Sequence, residues 1–182
     1  MSILDLWMPI LVSSVLVWIL SAMVWMVFGW HKSDYSQTRD EQAARAALKG
    51  LSPGMYTVPY CADQKDMAKP EMQQKMHEGP VAYVTVVPSG MPKMGGKLIA
   101  SFLYNVFVGV LCAYFVTRTL AADASYLAVF RVAGTVAFVA YGVAYIQECI
   151  WFGRPIGVTM KNMLDALLYG LVTGGAFGWL VT

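Results

Sequence analysis

Four side chains able to do chemistry sit where charge and polarity are costly. Asn105, Arg131, Glu148 and Asp165 all fall inside long apolar stretches of a 182-residue chain. A charged group in hydrocarbon persists where it pairs, lines an aqueous path or relays protons. Glu148 and Asp165 each lie near one end of a stretch, with Arg154 and Lys161 in the turn between them. The expectation is an interfacial ion-pair cluster that clamps two helices together, with a proton or ion site as the alternative. Arg131 lies five residues into its stretch, about 8 Å deep at ~1.5 Å per residue. It either snorkels or pairs with Asp123, or it takes an anion or a lipid headgroup. The lone amide of Asn105 suits hydrogen bonding between helices, or a substrate contact.

Two further patterns concern packing. Trp7, Trp18 and Trp25, with Ser14 and Ser21, recur at steps of three, four and seven, which keeps them on one helix face. Trp18 falls at mid-span, and Ser14 one turn back is a candidate partner for its indole N–H. This aromatic stripe is expected to pack against the protein's own helices or a neighbouring subunit, or to stack on a quinone, pigment or lipid ring. Ala166, Gly170, Gly174 and Gly178 stand four apart. Small residues at that spacing let another helix approach closely, inside the bundle or from another chain. His31 and His77 are single, and one imidazole without a second ligand is weak ground for haem. Cys61, Cys112 and Cys149 lack metal-ligand spacing. H-E-x-x-H, P-loop and paired-histidine patterns are absent. The chain is therefore read as binding no cofactor or metal and as not an enzyme.

The elements that must position these groups are membrane helices. Apolar residues make up 58% of the chain and charged residues 13%, against about 25% charged in soluble domains. A chain of this length cannot hide the excess in a large core. Uncharged or nearly uncharged stretches predict four spans at about 6–30, 98–117, 126–151 and 163–181. The first is too long for a signal-peptide core and follows Asp5 rather than a basic residue, so it is expected to be a retained anchor. Nine Lys and Arg residues lie between spans one and two, Arg154 and Lys161 between spans three and four, and Arg118 alone between spans two and three. This places the 31–97 loop in the cytoplasm and both termini outside. Trp7, Trp30, Trp151 and Trp179 mark span ends, where indoles favour the headgroup layer. A net charge of +2 argues for no nucleic-acid partner.

The 31–97 loop is patterned. Thr38 and Glu41 make a capping box before a helix expected over 39–49, with Gly50 as its stop. Pro70 opens a second short helix that ends before Gly79. The segment 81–87 reads as a strand, paired with 55–58. Two strands alone are marginally stable, so this piece is expected to lean on the membrane face or on another subunit. The predicted fold is an all-α membrane protein of four transmembrane helices, with a small α+β cytoplasmic segment between helices one and two.

His31-Lys32-Ser33-Asp34-Tyr35, the Gly79-Pro80 strand entry, Ile150-Trp151-Phe152-Gly153-Arg154-Pro155 and the run from Asp165 to Leu180 resemble a group of small bacterial inner-membrane proteins of unknown function. The resemblance implies a bacterial inner-membrane location and a four-span plan, and it carries no activity. From the residues themselves, the first expectation is a non-catalytic accessory or assembly subunit packed against a larger membrane complex. The second is a small channel or transporter acting as a homo-oligomer. The expected partners are membrane lipids and other membrane subunits or further copies of the chain.

Overall fold

The computed structural model describes residues 2–182. Its helices and strands, in chain order, are α1 (Trp7–Met23), α2 (Glu41–Leu48), β1 (Gly54–Val58), α3 (Pro70–Glu78), β2 (Ala82–Val86), α4 (Met94–Thr119), α5 (Tyr126–Gly142), α6 (Ala144–Phe152) and α7 (Ile156–Val181). Four helical runs are long and apolar enough to cross a membrane: Leu4–Phe28, Met94–Thr119, Tyr126–Phe152 and Ile156–Val181. The chain is thus a four-span, all-α membrane protein with a two-stranded sheet between spans one and two.

Two spans begin well before their expected starts. The second starts at Met94 and the fourth at Ile156, rather than at 98 and 163. Lys97 and Lys161 bound the uncharged runs, but a lysine within the first turns of a helix can carry its ammonium along its own stem to water or to a polar partner. The fourth span is the least apolar, with a mean hydropathy of 1.4, yet half of it is buried, more than any other span. It packs between the first and third spans.

The small-residue stripe explains how α7 takes that position. A Cβ on Gly174 would lie 2.8 Å from the Phe130 carbonyl oxygen, and one on Gly170 would lie 2.9 Å from that of Gly134. Gly178 faces the Tyr126 ring, and Ala166 lies against Gly142. All four positions therefore meet α5 of the same chain. The close approach that the spacing predicts is used inside the bundle, and this stripe offers no free face to a second protein.

Two spans are irregular on the loop side. The first passes into a π turn at Val24–Phe28 and stops at Gly29, whose φ of 70° favours glycine. A 3-10 turn, Trp30–Ser33, follows. The third span is interrupted between α5 and α6, where the Tyr104 hydroxyl donates to the Ala140 carbonyl at 2.8 Å. Broken helices at membrane depth keep their backbone groups satisfied by such donors.

The segment 36–92 is a separate compact unit. Helix α2 starts at Glu41, capped by the Asp40 carboxylate, which accepts from the Ala43 N–H at 2.8 Å. The expected Thr38 capping box does not form, because Asp40 fills the capping position two residues later. Strands β1 and β2 pair antiparallel, with Gly54 opposite Val86 and Val58 opposite Ala82.

Candidate functional site

The π turn, Gly29 and the 3-10 turn fold His31 back onto the bundle, where it is 5% exposed. Both imidazole nitrogens meet carboxylates. Nδ1 lies 2.5 Å from Asp34 Oδ2, and Nε2 lies 2.7 Å from Asp165 Oδ2. The Lys161 ammonium donates to Asp34 Oδ1 at 2.6 Å, to the Trp30 carbonyl at 2.7 Å and to Ser33 Oγ at 2.8 Å. The Trp25 indole stacks on the imidazole, with centroids 4.0 Å apart and planes 3° from parallel. The result is a buried chain, Lys161–Asp34–His31–Asp165, that ties the end of the first span to the fourth.

Two hydrogen bonds to one imidazole require two protons among three groups. Either an imidazolium stands between two carboxylates, or a neutral ring stands beside one carboxylate and one carboxylic acid. With both nitrogens so engaged, the ring has none left to activate a hydroxyl or thiol, so a serine- or cysteine-nucleophile arrangement is not built here.

Asp165 stands nine residues into α7, about 14 Å along the helix axis. Its Oδ1 makes no hydrogen bond of normal geometry, although the Trp30 indole stands near enough to act on the carboxyl. The Tyr169 hydroxyl, one turn on, is also buried without a hydrogen-bond partner. Both residues line a cavity of about 370 Å³ to which every span contributes: Ser21 and Trp25 from the first, Tyr104 and Asn105 from the second, Tyr141 and Tyr145 from the third. Asn105 is engaged there through both amide atoms. Its Nδ2 donates to the Ser14 carbonyl at 3.5 Å, and its Oδ1 accepts from the Tyr141 hydroxyl at 3.2 Å.

The other expected sites fare differently. The single Glu148–Asp165–Arg154–Lys161 clamp does not form. Glu148 and Arg154 approach only to 3.9 Å, while Lys161 and Asp165 turn to the His31 chain. The early start of α7 is the reason, since it carries Lys161 and Asp165 onto a helical face turned toward the first span. Arg131 is exposed and forms no ion pair with Asp123. Trp18 donates to the Leu98 carbonyl at 3.3 Å rather than to Ser14, whose hydroxyl bonds to the Ile10 carbonyl at 2.6 Å. Trp7 is 58% exposed. Among the described residues, no group of three or more His, Cys, Asp or Glu could hold a metal ion.

Sequence reasoning missed Asp34 and weighed His31 for haem rather than as a partner of two carboxylates. The available signal was their i,i+3 spacing immediately after a span, together with an in-span aspartate that needed a partner. It also reads the chain as lacking G-x-S-x-G, whereas Gly50-Leu51-Ser52-Pro53-Gly54 has that spacing. That motif activates a serine at a strand-to-helix turn. Here the order is reversed: Ser52 follows α2 and precedes β1, and it is exposed.

Asp34 sets an acid limit. Its hydrogen bond to Lys161 holds its carboxyl below the usual carboxylate range, with His31 adding to that pull and burial opposing it. A carboxyl with a lowered folded-state pKa stabilises the fold above its unfolded value, near 3.8, and loses that contribution as pH falls through the lower folded value. In detergent, the unfolding-temperature gap between wild type and Asp34→Asn should be constant above about pH 5 and should close below about pH 4.

No protein-family model matches the chain, and no curated protein or solved structure matches it either.

Proposed function

We propose that this chain is a small, non-catalytic carrier of the bacterial inner membrane, which binds a polar solute inside its bundle and holds protons beside it. One observation carries the reading: Asp165 and Tyr169, each with a buried polar atom that makes no hydrogen bond of normal geometry, are among the residues that line a cavity built by all four spans. Unspent polar groups in a membrane interior are costly unless water or a solute meets them. The imidazole between two carboxylates supplies a proton store, a common use of histidine. Lys32, Lys93, Lys97, Arg154 and Lys161 gather near one end of the bundle and Arg118 near the other. On the positive-inside rule, the His31 end and the 36–92 segment then face the cytoplasm, with both termini outside.

Thiol labelling tests the reading. In a background with Cys61, Cys112 and Cys149 replaced by alanine, Ser21→Cys and Ser101→Cys should react with a charged, membrane-impermeant thiol reagent. Ile19→Cys, on the lipid side, should not. Cavity cysteines as inert as Ile19→Cys would remove the aqueous path, and the carrier reading with it.

One observation favours the accessory-subunit reading. The strand pair exposes apolar side chains, including Met55 at 75% and Val58 at 48%, which suits cover by another chain. Purification in mild detergent separates the two readings: a larger partner in constant stoichiometry supports the subunit, and its absence supports the carrier.

A further inference from the structure

We infer that the cavity takes a small organic cation of the ammonium class, and that binding it expels one proton from the Asp34–His31–Asp165 chain. This rests on the carrier reading and names its solute.

Two residues that line the cavity carry a polar atom without a hydrogen bond of normal geometry, the Asp165 carboxylate, near which the Trp30 indole also stands, and the Tyr169 phenol; the residues are 4% and 8% exposed. A carboxylate oxygen accepts and cannot donate, so its natural counterpart is a donor, best a charged one. The remaining wall is rich in aromatic faces: Trp25, Tyr104, Tyr141 and Tyr145 join Tyr169. Such faces attract cations within about 6 Å of the ring centroid. Arg154 already lies over Tyr145, 5.6 Å from its centroid, and Trp25 stacks on His31, so Tyr104, Tyr141 and Tyr169, which meet one another edge to face, are the rings left for a ligand. No lysine or arginine lines the cavity, so an anion would find no counter-charge. A bare divalent ion prefers several oxygen ligands, and one carboxylate among tyrosines does not supply them.

Charge counting gives the exchange. With a proton in each imidazole hydrogen bond, Lys161, Asp34, His31 and Asp165 are together neutral. A bound cation leaves them with one excess positive charge in a setting that tolerates none well. If the Nε2 proton of His31 leaves to water, the Nε2–H···Oδ2 bond breaks, neutrality returns and both Asp165 oxygens serve the cation. Nδ1–H stays on Asp34, which Lys161 holds. The groups that bear on this step are few. His31 faces Asp34, Asp165, Trp25 and Trp30, and Asp165 also feels Asp34 and Tyr169.

Titration calorimetry on the full chain in detergent tests the proposal, with choline, methylammonium and 3,3-dimethylbutanol, the neutral isostere of choline. At least one of the two cations should bind at millimolar concentration or better, and dimethylbutanol about tenfold or more weakly than choline. Repeating the titration in buffers of different ionisation enthalpy, across the pH range in which the protein stays folded, should show release rising to one proton per cation. Asp165→Asn should weaken binding about tenfold or more, and Tyr169→Phe by less. His31→Gln should bind the cation without releasing a proton. The wild-type comparison of choline with its isostere stands even if a variant fails to fold. Equal binding of that pair, or no proton release anywhere in the range, overturns the inference. So does binding of neither cation by a protein whose Ser101→Cys variant labels; that result leaves the carrier reading intact, whereas failure of the labelling removes both.

Discussion

His31→Leu should destabilise the folded bundle by about 3–5 kcal/mol, the usual loss when one member of a buried ionic set is removed. The imidazole is the one hydrogen-bond partner of normal geometry for Asp165 among the described residues, and the second for Asp34. Leucine fills much of the volume but leaves Asp165 with neither bond nor counter-charge, and most of the loss is that stranded carboxyl rather than the bond itself. The check is a double-mutant cycle, read by chemical unfolding in mixed micelles. His31→Leu combined with Asp165→Leu should recover a large part of the stability lost by His31→Leu alone, because the stranded group is gone. Strict additivity of the two single changes would show that the residues do not act on one another. Lys161→Met should cost less than His31→Leu, because the Lys161 side chain is 29% exposed and water can replace part of what it supplies to Asp34.

Gly174→Ala should destabilise by about 1–3 kcal/mol, the usual range for overpacking, and Gly174→Leu by more. A Cβ at 174 would lie 2.8 Å from the Phe130 carbonyl oxygen and 3.1 Å from Gly134 Cα. These are backbone atoms of the neighbouring helix, so relief requires α5 and α7 to separate. Gly175→Ala is the control. Its Cβ would find only the Tyr126 hydroxyl, at 3.9 Å, an ordinary contact, so stability should hold or rise slightly with the better helix former. Thermal unfolding of the three variants in one detergent decides the matter. Equal behaviour at 174 and 175 would mean that the close approach contributes nothing.

The four spans were legible because hydrocarbon imposes long uncharged runs, and the α5–α7 contact because small residues at a fourfold step leave few other uses for that face. The His31 chain was not legible in the same way. Asp34 and Lys161 are 127 residues apart, and His31 and Asp165 are 134 apart; no local spacing couples such pairs. The sequence did expose the need, since Asp165 inside an apolar run required a partner. The cations nearest in the chain are Arg154 and Lys161, and proximity in the chain is the only distance a sequence displays. Asn105 was easier, since an isolated amide in a span has few roles other than bridging helices.

The long reach from His31 to Asp165 has a consequence for biogenesis. As the polypeptide leaves the ribosome, the imidazole and its neighbouring aspartate emerge first, and the groups that complete them are translated more than a hundred residues later. A nascent chain cut short before its final helix therefore carries an unfinished polar cluster at the lip of its first anchor, a chemical mark by which membrane quality control can tell it from the finished protein.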